Sequence, residues 1–210
     1  MSADHETKRP RFSVEEARAR AQEALRKSEF ILSRAYGLFR DPKEEWRQIK
    51  AEETTIPSIM IGYVAPLAAI PPVCDLIGST LFNRMLEVAP AEAVVRGFVT
   101  WVVSIALVFL LGLLINTLAD NFDADRDDLS AQKIAAYSLT PAFLSGVFSL
   151  WPPLWWLSLF ALAAMVFLMY RGMPILMKAP EDRALGYAAT VTIAGMVAGI
   201  LLFTLASCVT

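Results

Sequence analysis

Five apolar segments, at about 56–82, 94–119, 133–150, 153–170 and 184–208, set the limits on what this chain can fold into. Each is near or above the roughly 18–20 residues that a helix needs to cross a bilayer core. In hydrocarbon the backbone N–H and C=O groups must be satisfied within the segment itself, so helix is the expected form of all five. The expected fold class is therefore all-α: a polytopic membrane protein with five transmembrane helices, preceded by cytoplasmic and interfacial amphipathic helices. Composition agrees, since 56% of the residues are hydrophobic and only 19% charged. Soluble domains carry about a quarter charged residues.

Charge is placed unevenly. Twelve of the 19 Lys and Arg residues fall in the first 50 positions, with nine acidic residues among them. That mild surplus suits anionic headgroups, and nothing in it points to nucleic acid. With five spans, 17 of the 19 basic residues fall on one side, leaving Arg84 and Arg96 on the other. The positive-inside rule then predicts a cytoplasmic N-terminus and an outside C-terminus. The chain divides into a disordered tail at 1–12, a helical segment at 13–55 and a five-helix domain at 56–210.

The helical segment has its own signals. "SVEE" at 13–16 is a capping box for a helix reaching about Phe39. Its alanine-rich apolar stripe reads either as one side of a solvated helix or as a partner-binding face. "RDPKEEW" restarts the chain, with Asp41 as cap and Pro42 in the first helical position. Trp46 and Ile49 share one face of this second helix, which is expected to lie on the membrane surface with Trp46 as a headgroup anchor. Cys74 and Cys208 both lie in apolar runs and read as buried hydrophobes.

Several chemistries have no residues to carry them. His5 is the sole histidine, so no Ser–His or Cys–His couple and no H-E-x-x-H zinc site can be built. There is no glycine-rich phosphate loop and no glycine fingerprint for a dinucleotide. No catalytic residue, metal site or cofactor is expected. One cluster stands out, "DNFDADRDD" at 120–128, where Asp120, Asp123 and Asp127 are spaced three and four apart. On a helix they would share a face and suit a hard cation such as Mg²⁺. A later second aspartate cluster, which intramembrane prenyltransferases need, is missing, and an EF-hand would need glycine at Asp128 and glutamate at Ile134. A solvated acidic loop is the preferred reading, with weak cation binding as the alternative.

The first span holds the oddest residues. Pro66 leaves the carbonyl of Gly62 without its helical donor, and Pro71 and Pro72 free those of Leu67 and Ala68. The polar third segment, with Ser138 and Thr140 beside Pro141, is the expected source of donors, which predicts paired kinks in the two spans. Asp75 falls roughly 27 Å beyond Pro57 at about 1.5 Å per residue, near the outer boundary of the core. Arg84 and Arg96 are its candidate partners. In the last span Gly195 and Gly199 form a GxxxG motif extended by Ala188 and Thr192, which lets another helix approach closely. That helix is either another span of the chain, the favoured reading, or a second copy in a homo-oligomer.

Residues from about Leu32 to Leu205 resemble the Ypt-interacting protein (Yip) family of five-span membrane proteins, in its prokaryotic branch. The stretches that carry the likeness are "FRDPKEEWRQIKAEETT", "GYVAPLAAIPP", "AAYSLTPAFL" and "YRGMPILMKAPEDRALGY", in that order. They bring Tyr137, Thr140, Pro141, Gly172 and Pro174 into the set of candidate structural or functional residues. The resemblance implies the fold and a place in a bacterial inner membrane. Eukaryotic members are linked to Rab-type GTPases, vesicle budding and membrane shaping, but their D-L-Y-G-P-type stretch is not present. A non-enzymatic membrane scaffold or adaptor is the expected function, working with lipids and with a protein partner at the N-terminal helices. A small transporter is the alternative, resting on proline-broken spans.

Overall fold

The computed structural model describes residues 14–81 and 90–207, and every element among them is helical. The tail, the capping-box serine and Cys208 lie outside the described residues. Helix α1 (Val14–Arg40) runs unbroken for 27 residues. Helix α2 (Pro42–Ala51) starts as the sequence requires, the Asp41 carboxylate accepting from the Glu44 N–H at 3.2 Å and Pro42 following at the first turn.

The first apolar segment is a chain of short pieces: α3 (Ile56–Ile59), a π-helical turn (Met60–Val64), α4 (Ala65–Ala68) and α5 (Ile70–Leu81). The wide turn comes immediately before Pro66. It moves the backbone carbonyls that an α-helical proline ring would strike, a common setting for kinks. The second segment is the long helix α6 (Pro90–Leu118), closed by a 3₁₀ turn at Ala119–Phe122. The third comprises α7 (Asp128–Ser138), α8 (Thr140–Leu144) and a 3₁₀ stretch at Ser145–Leu150. After a second 3₁₀ stretch, Pro152–Leu157, come α9 (Ser158–Leu176) and α10 (Glu181–Ser207).

Among the described residues four helices are long and apolar enough to cross a membrane, over Ile56–Ser79, Ala91–Phe122, Pro153–Leu176 and Glu181–Ser207. The third segment, expected as the fifth span, kinked and inside the bundle, is broken at Leu139 and buried, and it is not among these four. Every residue from Ala131 to Ser138 is buried, although four of the eight carry polar side-chain atoms. It still runs the length of the bundle, from Lys133 against the end of α2 to Ser149 beside Gly78 of α5. Its 3₁₀ turns rise about 2 Å per residue against about 1.5 Å in α-helix, so a short segment covers the distance. The polar helix therefore sits in the middle and the apolar helices surround it, exposing Phe98, Phe109, Phe167, Ile193 and Ile200 outward. Such a surface is stable only in lipid.

One end of this bundle is covered by α1 and α2. The other holds the α5 C-terminus and the two 3₁₀ stretches, with Trp151, Trp155 and Trp156 exposed there as an interfacial belt would be.

Candidate functional site

At the covered end, Trp46 is fully buried and its indole N–H donates to the Leu168 carbonyl of α9 at 3.1 Å. The expected headgroup anchor is thus a protein anchor. It fits because position 172 is glycine: a β-carbon there would lie 2.8 Å from the Trp46 ring. Ile49, one turn on, is buried as well. Two lysines close the joint. Lys133 donates to the carbonyls of Ile49 (2.7 Å) and Glu52 (2.8 Å), satisfying the end of α2, and Lys50 donates to Ile175 (2.6 Å) just after Pro174.

Arg34 fastens α1 to this joint. Its guanidinium meets Glu45 at 2.6 Å and Glu52 at 2.8 Å, and lies 5.1 Å above the Phe30 ring and 5.5 Å from that of Tyr137. Only 9% of its side chain is exposed, and its Nε finds no partner among the described residues. Below it, Tyr63 and Tyr137 pack at 4.6 Å. The Thr140 hydroxyl donates to the Tyr137 carbonyl (2.7 Å), and so accepts from the Tyr63 hydroxyl at 2.8 Å. The first and third segments are therefore joined at their breaks, as expected, but by side chain to side chain. The Ser138 hydroxyl, expected to serve a freed carbonyl, has no partner among the described residues. From α6 the Trp101 indole reaches a different carbonyl of the first segment, that of Ala65, at 2.8 Å. Pro141, next to Thr140, is buried in the same joint.

The acidic loop follows a different geometry from one helix face. Asp120 lies in the 3₁₀ turn, Asp123 is left-handed (φ 52°), and Asp127 is the extended cap of α7. Basic groups meet most of the carboxylates: Asp120–Arg126 at 2.9 Å, Asp123–Arg183 at 2.5 Å and Asp125–Lys178 at 2.6 Å. Asn116 meets Asp128 at 2.5 Å, and Asp127 accepts from the Ser130 N–H at 2.9 Å. That last bond holds the Asp127 carboxyl below its ordinary range, and the Asp125 carboxylate holds the Lys178 ammonium above its own. Among the described residues no three His, Cys, Asp or Glu groups converge as a metal site would require. The loop instead latches the α9–α10 connection, reinforced by the Asp125 N–H bonding to the Met177 carbonyl (2.8 Å).

The small-residue stripe of α10 faces α6. A β-carbon on Gly195 would come within 2.6 Å of Leu111, and one on Gly199 within 3.3 Å of Leu107. Tyr187 completes this face by donating to the Ile115 carbonyl and stacking on Phe122 at 4.7 Å.

At the open end, Asp75 meets Arg96 across 3.9 Å; Arg84 lies outside the described residues. The pair borders a cavity of about 510 Å³ between α5, α6, the 145–150 stretch and the start of α9. Pro71 and Pro72 form one wall, and Pro71 packs on Gly146, where a β-carbon would lie 2.6 Å from the proline Cα.

Sequence reasoning missed Arg34, Glu45, Glu52 and Lys133 as a set, the burial of Gln132, and this cavity. The nearest signals were an arginine within an otherwise solvated helix and a lysine at the head of an apolar segment.

The fold and its two ends define an all-α, multi-pass membrane protein whose N-terminal helices are part of the bundle. The family is shown by comparison: residues 36–203 match the Yip1 domain model, and the chain belongs to that family. It is 28% identical over 181 residues to the inner membrane protein YohC of Escherichia coli K12, covering 81% of this chain and 93% of that one. The YohC protein of Escherichia coli O6:H1 gives the same figures. No solved structure matches.

Proposed function

We propose that this protein is a non-enzymatic scaffold or adaptor of a bacterial inner membrane, crossing it five times with α1 and α2 on the cytoplasmic side. The likeness to YohC supports the membrane, the basic residues gathered near α1 and α2 support the orientation, and the full-length course of the third segment supports the fifth crossing.

One observation carries the adaptor reading. The last turns of α1 are clamped by Arg34, while Leu25, Leu32, Tyr36 and Phe39 remain exposed along one side of the same helix. Leu25 and Leu32 are each more than 60% exposed. A rigidly held helix with an uncovered apolar stripe suits a helix-in-groove partner.

A photo-crosslinking residue at Leu25, Leu32 or Tyr36, used in intact membranes, tests this. A discrete protein adduct at these positions and none at Glu23 or Lys27, exposed on the opposite side of the helix, is expected. Adducts to lipid alone at every position would overturn it. The transport reading is supported by the break in the first segment; flux in liposomes that depends on Asp75 or Asp123 would replace the adaptor reading.

A further inference from the structure

The cavity at the open end takes no part in the adaptor reading, and its walls are chemically specific. We propose that it binds the headgroup of a phospholipid carrying a phosphate and a primary ammonium, with Arg96 taking the phosphate and Asp75 the ammonium.

The charge pair is the first argument. Seven other ion pairs in the described chain close at 2.5–3.1 Å, whereas Asp75 and Arg96 stand 3.9 Å apart with about half of each side chain exposed. Two opposite charges at one mouth, not committed to each other, match the two charges of a zwitterion. Arg presents a planar fork that suits phosphate oxygens.

The cavity's shape and lining give the second. A volume of about 510 Å³ falls within the roughly 300–1,000 Å³ of small-molecule sites. It persists because Gly146 holds the third segment against Pro71, fixing the wall by backbone contact. Ser145 and Ser149 line it, and each donates its proton to a carbonyl three residues back, at 2.7 and 2.6 Å. Their oxygens are left as acceptors, which suit an ammonium's three donors. A quaternary ammonium would need an aromatic cage, and among the described residues the lining offers only Phe148 and Trp155.

Depth is the third. Asp75 lies about 27 Å along the first span from Pro57, at headgroup level for a core about 30 Å thick. Trp155, 68% exposed at the cavity, sits where an indole prefers the interface.

The test uses the full chain in nanodiscs of mixed phosphatidylethanolamine, phosphatidylcholine and phosphatidylglycerol, with the retained lipid quantified by native mass spectrometry. Wild type is expected to retain phosphatidylethanolamine about tenfold over the other two. Asp75→Asn should equalise phosphatidylethanolamine and phosphatidylcholine, Arg96→Gln should lower all three, and Arg96→Lys should restore part of the loss. Both groups are half exposed, so melting in detergent should barely move, which separates lost binding from lost folding. No preference in wild type, or a preference that both Asp75→Asn and Arg96→Gln leave intact, would overturn the proposal. Displacement of the lipid by millimolar phosphoethanolamine or inorganic phosphate would also overturn it, in favour of a soluble phosphate ligand.

Discussion

Replacing Arg34 by methionine should release α1 from the bundle without unfolding the bundle itself. The substitution keeps the length and apolar stem of the side chain but removes the cation between Glu45 and Glu52. Taking one partner from a buried pair costs about 3–5 kcal/mol, because the remaining charge is stranded. Glu45 is 12% exposed and cannot rehydrate in place, whereas Glu52 is a third exposed and recovers most of its hydration. Only Glu45 therefore carries the full penalty, and about 3 kcal/mol is expected. At about 1.4 kcal/mol per decade, the undocked population rises roughly a hundredfold. Hydrogen exchange measured by mass spectrometry should show that fall in protection over residues 30–40, with α2, α6 and α10 unchanged. The variant Arg34→Met/Glu45→Gln/Glu52→Gln should recover most of the protection, since no charge is left uncompensated. If Arg34→Met stays within threefold of wild type, apolar contacts alone hold α1. If the triple variant is as labile as the single one, stranded charge is not the cause.

Other outcomes follow from the same contacts. Gly172→Val places side-chain atoms in the space of the Trp46 ring, and should cost about 1–3 kcal/mol by overpacking, read as faster exchange in α2 and a shifted indole emission. Gly146→Ala meets the Pro71 backbone at 2.6 Å, which cannot give as a side-chain tip would; it should lower the detergent melting temperature, whereas Gly62→Ala, with open space around it, should not. Asp127→Ala should cost about 1 kcal/mol as a lost helix cap, and Asp127→Asn much less. The Ser130 bond lowers the carboxyl's pKa, so the cap's contribution is complete above the usual carboxylate range and fades as pH falls through the lowered value. Wild type should therefore lose its advantage over Asp127→Ala in acid, as melting curves from neutral pH downward would show.

How much of this was legible in the sequence depends on the kind of signal. Length and hydropathy mark the four long apolar helices, and low hydropathy with Ser138 and Thr140 marks the third segment as the one to bury. Local chemistry marks the Asp41–Pro42 start of α2, and the spacing of Gly195 and Gly199 marks a close approach, which α6 makes. Periodicity says which residues share a face but not what covers that face. Trp46 and Ile49 were readable as one stripe, while α9 as their cover depends on Gly172, 126 positions from Trp46. Arg34 was unreadable for a similar reason. Its partners lie 11 and 18 residues away across a helix break, beyond any spacing rule within one helix. The acidic run misled through an assumption of regular helix, when the chain there turns through a 3₁₀ stretch and a left-handed Asp123.

The boundary of the family match sharpens what α1 is for. The match begins at residue 36, so Trp46, Gly172, Glu45, Glu52 and Lys133 fall inside it, while Arg34 and most of α1 fall outside. The receiving half of the clamp thus belongs to the matched domain, and the guanidinium that closes it does not. Two jobs can then be separated physically. Trp46 against Gly172, with Lys133 on the end of α2, closes the bundle whether or not α1 is present. Arg34 adds a further connection, whose effect is to fix the direction in which α1 carries Leu25 and Leu32 away from the bundle. A partner recognised on that stripe would be specific to chains with this extension, and removing residues 1–35 should abolish its capture while leaving exchange in α2 and melting of the bundle unchanged. Loss of protection at Trp46 in that truncated chain would mean that α1 is needed to close the domain, and the separation would fail.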